Sequence, residues 1–245
     1  MAKYGSSSWS VLLVDGFNLL SAKLKGVTYK IEAKQEDSTG MGDAWEEHLP
    51  SGQKVATFSQ DGAFFDSDTD GIHDAMEGQQ ATARVLVCAP FGNTLGAKFI
   101  GARGLYGQAY EVLGQVGGLT KANVTYTVSG RLDANGEIVQ PLATKTADWN
   151  TKTLGTPVDS GASSANGAVG YLAVSACTGF TNFVGKLRDS ADNVTYADLV
   201  TFTDNVAAPF AEAVEVAGTV DRYLSFDGNV TGTGSITVFA GLARL

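Results

Sequence analysis

The chain has 245 residues, 44% of them hydrophobic and 18% charged, with 17 Lys and Arg against 26 Asp and Glu for a net charge of −9. That composition is globular rather than disordered, and the length suffices for a sizeable core. The negative balance excludes a protein that grips nucleic acid through clustered Lys and Arg, and no run approaches the roughly 20 apolar residues of a membrane-spanning helix.

In chain order, residues 1–8 lack the hydrophobic core of a signal peptide. Ser10–Val14 reads as a short apolar strand closed by the turn Asp15-Gly16. A long β-hairpin follows between Gly26 and Phe65. In its first arm Val27, Tyr29, Ile31 and Ala33 fall on one face and Thr28, Lys30, Glu32 and Lys34 on the other, the alternation of a half-buried strand. Lys54–Gln60 is the return arm. Between them lies the acidic loop Gln35–Gln53, which carries Met41, Trp45 and Leu49. Hairpin loops ordinarily run about two to five residues, so one this long is disordered or does a job. Trp and Met are uncommon in a disordered linker. The expectation is an arm that docks on a neighbour, with Met41, Asp43, Trp45, Glu46 and Leu49 as its contact residues.

Past the hairpin, Asp66, Asp68, Asp70, Gly71 and Glu77 fit the calcium-loop pattern D-x-D-x-D-G-x5-E. The context argues against calcium. Such loops are entered by a helix, whereas Phe58–Phe65 is strand-like, and His73 stands where an aliphatic residue belongs. The expectation is an acidic turn capping a short amphipathic helix, Ile72–Gly78, whose Ile72, Ala75 and Met76 share a face. Neither a metal nor a cofactor is expected.

From Ala81 onward strands dominate: Thr82–Ala89, Lys98–Leu105 (interrupted by Gly101 and Gly104) and Ala122–Arg131. Asn135-Gly136 predicts a hairpin turn leading into Glu137–Leu142. Ser160–Gly170 is rich in Gly, Ser and Ala and suggests a boundary between two lobes near 160–170 within one domain of 1–245. Six further strands follow at spacings of about ten residues: Ala168–Cys177, Asn182–Leu187, Ala197–Phe202, Ala213–Ala217, Val220–Phe226 and Ser235–Leu242. The fold expected is all-β with one short helix, an antiparallel β-sandwich or barrel-like subunit from which a long β-hairpin projects. Cys88 and Cys177 end apolar runs and read as free thiols of a protein made in a reducing cytoplasm. The two histidines, His48 and His73, lack catalytic neighbours, and no G-x-S-x-G, phosphate-loop or H-E-x-x-H motif is present, so no enzyme is expected.

The order of features resembles the tail tube (major tail) proteins of long-tailed, siphophage-type bacteriophages. It comprises an N-terminal arm, a hairpin loop Gly42-Asp43-Ala44-Trp45-Glu46-Glu47, Gly62–Asp66, Gly71–Ala75, and the closing segments Gly218–Tyr223 and Gly234–Arg244. The resemblance implies a β-sandwich subunit of the virion, six copies to a ring, with rings stacked into the tube through which DNA passes during genome ejection. It implies that the loop residues Met41, Asp43, Trp45, Glu46 and Leu49 bridge stacked rings. It also implies, as partners, the chain itself, tail tip and tail terminator proteins, and the tape-measure protein and DNA passing through the lumen unbound, with no membrane insertion. Two alternatives remain open: another virion part, such as a decoration protein or distal tail adaptor, and a carbohydrate-binding β-sandwich using Trp9, Trp45, Trp149 and Tyr171 as sugar platforms.

Overall fold

The computed structural model describes residues 9–19, 25–41, 44–64, 76, 83–114, 116, 118–151 and 157–245. Its strands are β1 (Val11–Val14), β2 (Phe17–Asn18), β3 (Gly26–Asp37), β4 (His48–Phe64), β5 (Arg84–Ala89), β6 (Lys98–Leu113) and β7 (Lys121–Val128) in the first half. The second half holds β8 (Leu132–Lys145), β9 (Trp149–Asn150), β10 (Val158–Asp159), β11 (Ala168–Ser190), β12 (Ala197–Thr201), β13 (Phe210–Val216) and β14 (Tyr223–Arg244). All pairings are antiparallel, and the strands join in one hydrogen-bonded sheet with the main path β12-β11-β14-β8-β6-β5-β1-β2. The all-β class is therefore as the sequence predicts.

The middle of this sheet curls around a first core. Alternate residues of β1, β5, β6, β8, β11 and β14, among them Leu13, Val87, Phe99, Ile138, Tyr171 and Phe239, point inside it and are fully buried. The curl brings the Asp15-Gly16 turn onto the backbone of Val174 and Phe210, where a Cβ on Gly16 would lie 2.3 Å from the Val174 oxygen. Among the described residues no ladder closes the ring, so the curl stops short of a barrel. Phe99 is its central plug. Its ring meets Tyr171 and Phe239 edge-on, at centroid distances of 5.6 and 5.5 Å, and lies over the bare Cα atoms of Gly136 and Gly241.

Two more cores coat the outside of the curl. On one side Leu12, Val14, Leu86, Cys88 and Ile100 pack under Phe58, Val124, Tyr126 and Val128 of β4 and β7. Burial pushes the Cys88 thiol up to about 12. On the other side β11 and β14 run together and fold back over themselves. Gly170 leaves room there for Leu187 and Val200, and Trp149 stacks on Phe183 at 6.0 Å.

The fold-back corrects the sequence reading. Ala168–Cys177 and Asn182–Leu187 are one strand; Ser235–Leu242 is likewise one strand with Tyr223–Phe226 of the expected Val220–Phe226, while Val220 itself forms an isolated bridge to Ser164. Where turns were expected, register shifts between Val174 and Phe180 bend the pair, with Gly179 and Gly232 at positive φ. Asn135-Gly136 is likewise not a turn: it lies inside β8, with Gly136 opposite Phe99. Packing against an aromatic ring overrides the local turn preference. The stretch expected as a boundary is hydrogen-bonded along Gly218–Arg222, through Ser160, Ser164 and Gly167. The expected helix Ile72–Gly78 and the carboxylates Asp66, Asp68, Asp70 and Glu77 lie outside the described residues except for Met76, which is helical and fully buried against the outer core.

Gly136→Ala would place its Cβ 2.2 Å from the Phe99 ring. Overpacking of that kind should cost about 1–3 kcal/mol in denaturant unfolding. Gly114→Ala, with open space around it, should change stability by less than about 0.5 kcal/mol.

Candidate functional site: the projecting sheet and its two ends

Gly104 takes φ +69 and accepts at its carbonyl from Ser129 N; beyond Leu105, the last residue paired with β5, β6 leaves the curl and pairs with β7 alone. This makes a four-stranded sheet in the order β3-β4-β7-β6. Its inner face is apolar and, through Phe58, Val124, Tyr126 and Val128, covers the outer core. Its outer face is largely polar and unopposed among the described residues: Thr28, Lys30 and Glu32 lie beside Val55, Thr57 and Ser59, then Thr125 and Thr127, then Tyr106, Ala109 and Glu111. Among the described residues neither lateral edge is paired: no strand lies against the side of β3 away from β4, or against the side of β6 away from β7 from Tyr106 to Leu113.

The alternation of the first hairpin arm picks the correct face but overstates its burial. Tyr29 pairs with Phe58 and Ile31 with Ala56, so they extend the apolar row, yet Tyr29 and Ile31 are 40% and 48% exposed. Among the described residues β4 is the strand partner of β3, so these side chains lie at the rim of the sheet. Ile31 and Ala56 thereby line a shallow concavity with Gly52, Lys54 and Gly130–Leu132.

The loop is shorter than expected. The ladder continues through Gln35↔Pro50 to Asp37↔His48 after a register shift, leaving only residues 38–47 as the tip. The tip is closed by its own hydrogen bonds. Ser38 N and Oγ both donate to the Glu47 carbonyl, Thr39 N donates to Asp37 Oδ1 at 2.9 Å, and Glu47 N donates to Thr39 Oγ1. The Thr39 hydrogen bonds hold the Asp37 carboxyl below its ordinary range. Met41, Trp45 and Leu49 are 108%, 84% and 61% exposed, and Glu46 lies 3.6 Å from His48. Asp43 falls outside the described residues.

The sequence reading missed the other end of the same sheet. Phe64 pairs with Lys121 and Lys121 with Leu113, which puts the β6–β7 turn opposite the 38–47 tip. Leu113, Val116 and Leu119 are exposed there. Beside them the Lys25 side chain runs over Gly62, and its ammonium lowers the pKa of Lys121. A run of Leu, Val and Leu within a Gly-rich turn was the available signal.

Elsewhere the chemistry is structural. Tyr171 donates to the buried Asp133 at 2.7 Å, and burial first, then this bond, raises the tyrosine's pKa. Among the described residues no three His, Cys, Asp or Glu are grouped to hold a metal. Of the aromatics considered as sugar platforms, Tyr171 and Trp149 are buried and Trp9 packs on the outer core, leaving Trp45 alone exposed.

No family model matches the chain, and no curated protein does. Among solved structures it is similar to a chain from the tail of an empty gene transfer agent particle, with 17% identity over 46% of this chain and 81% of that one and a TM-score of 0.33. A chain from the virion of a native gene transfer agent particle gives 17% over 44% and 82%, also at 0.33. The Dit protein of phage SPP1, described as a paradigm of the hub adsorption apparatus of phages infecting Gram-positive bacteria, gives 14% over 95% and 98%, at 0.31. At TM-scores this low the likeness assigns neither fold nor function to this chain.

Trp45→Ala should leave the melting temperature of the dilute protein unchanged within about 2 °C, because an exposed tip contributes nothing to the cores. A scanning calorimetry trace shifted well below the wild type would place Trp45 inside the subunit's own packing.

Proposed function

We propose that this chain is a structural virion protein, a phage tail tube subunit whose copies join edge to edge into rings that stack into a tube. The observation that carries this reading is the four-stranded sheet with two open edges, one polar face and one apolar face. An open edge is a row of unpaired N–H and C=O groups that templates another strand. Here one edge lies at each side of the same sheet, so β3 of one copy meets β6 of the next, and repetition closes a ring around a polar inner wall. Six copies per ring follow the family resemblance. Tail tip, tail terminator and tape-measure proteins are the partners that such a tube implies.

The wall so formed is rich in hydroxyl groups and close to neutral. Thr28, Thr57, Ser59, Thr125 and Thr127 face it together with Glu32, Asp61 and Glu111, against Lys30, Lys34 and Lys121. Such a wall carries no net positive charge to hold duplex phosphates, which suits passage without capture. Electron microscopy of the concentrated protein should show tubes, and only monomers at every concentration would overturn the reading. Changing Glu32, Asp61 and Glu111 to Lys should slow genome release from assembled particles while leaving tubes intact.

The hairpin tip then lies where rings meet. A Trp burying about 150–250 Å² contributes roughly 4–6 kcal/mol before ordering costs. Replacing residues 38–47 by Asn-Gly keeps the ladder up to Asp37↔His48, so circular dichroism should be that of the wild type. Tubes should be lost to free subunits or single rings, and long tubes from the shortened chain would remove the tip from the stacking contact.

A further inference from the structure

The two ends of the projecting sheet are complementary, and this bears on what the hairpin tip binds. Seven of the twelve large hydrophobic side chains exposed among the described residues sit at these ends: Met41, Trp45 and Leu49 at one, Val112, Leu113, Val116 and Leu119 at the other. Such side chains scattered singly need no explanation, but two clusters at the poles of one sheet do. The charges differ as well. The tip carries Asp37, Glu46 and Glu47, whereas the far end holds Lys25 and Lys121 side by side, with Asp61 offsetting part of their mutual repulsion. Two adjacent ammonium groups destabilise each other, and a carboxylate brought between them relieves that repulsion. Both poles ride on the same ladder, so their separation is fixed by strand length.

We propose that the 38–47 tip of one copy seats on the far pole of the same sheet in a second copy, Trp45 against Val116 and Leu119, with Glu46 and Glu47 meeting Lys25 and Lys121. This rests on the tube reading and names the counterpart that reading lacks. The contact is heterologous: a tip on one copy, a pole on the next. Translation along the strands therefore repeats it without closing, which is how a fibre or tube grows in length rather than ending as a dimer. It also gives the tube a direction, since every ring offers tips at one mouth and poles at the other. Like charges at either mouth disfavour tip-to-tip and pole-to-pole pairing, so the reversed arrangement is selected against.

Two experiments test it on the full chain. With Trp45→Cys and Val116→Cys in one protein, mild oxidation of assembled tubes should give a ladder of disulfide-linked chains, and either substitution alone should not. Lys25→Glu with Lys121→Glu should raise the concentration needed for tubes about tenfold or more with unchanged circular dichroism, and adding Glu46→Lys with Glu47→Lys should restore it. Tubes that form without the disulfide ladder, or that tolerate the lysine reversals, would overturn this contact while leaving the tube reading in place. A wild-type chain that forms no tubes would overturn both.

Discussion

The fold depends on strands that serve two layers at once. β6 pairs with β5 and β8 in the curl and then with β7 in the projecting sheet. β11 and β14 likewise line the inner core and then turn back to cover the outer one. A strand can do this only where its ladder bends, so the bends fall at glycines with positive φ and at register shifts: Gly104 in β6, Gly179 and Gly232 in the β11–β14 pair. The projecting sheet is therefore covalently continuous with the core, and its orientation is set by the bend at Gly104.

Inside the curl, the large rings need places where backbone comes close. Phe99 occupies the space that Cβ atoms at Gly136 and Gly241 would take, and Tyr171 does the same at Gly101. The tyrosine hydroxyl is then carried to Asp133, whose side chain is buried and 2.9 Å from the Arg131 guanidinium. A buried hydroxyl that donates to a carboxylate in an apolar interior favours one arrangement over near alternatives, because any slip leaves the donor unpaired. The glycines and the Tyr171–Asp133 bond thus hold β6, β8, β11 and β14 in one arrangement around Phe99.

How much of this was legible in the sequence varied with the origin of each signal. Period-2 alternation located β3 and β7 and chose the correct faces, because the pleat alone dictates which side chains share a side. It could not tell that Tyr29 and Ile31 stay partly exposed, since burial depends on what packs beneath the strand and not on the pleat. The Asn135-Gly136 signal failed because a tertiary contact with Phe99 held that segment extended. The breaks expected at Gly179 and Gly232 became bends for the same reason: both flanking halves had partners along the whole length. At the candidate site, Met41, Trp45 and Leu49 were singled out because an apolar residue in a polar loop is conspicuous by itself, and their side chains are exposed. The far pole was not, because Lys25 and Lys121 are 96 positions apart in sequence and become neighbours only through the β3–β4–β7 pairing.

The attachment of the hairpin has a mechanical consequence. β3 and β4 are tied to the rest of the molecule chiefly along Ala56–Phe64, where β4 lies beside β7. A pull on the tip in the strand direction loads that ladder in shear, so its hydrogen bonds share the force and must fail together. A pull sideways at the free edge of β3 would open the sheet one bond at a time, like a zipper. The subunit is thus stiff along the hairpin and compliant across it, a directional strength suited to a part under tension along one axis.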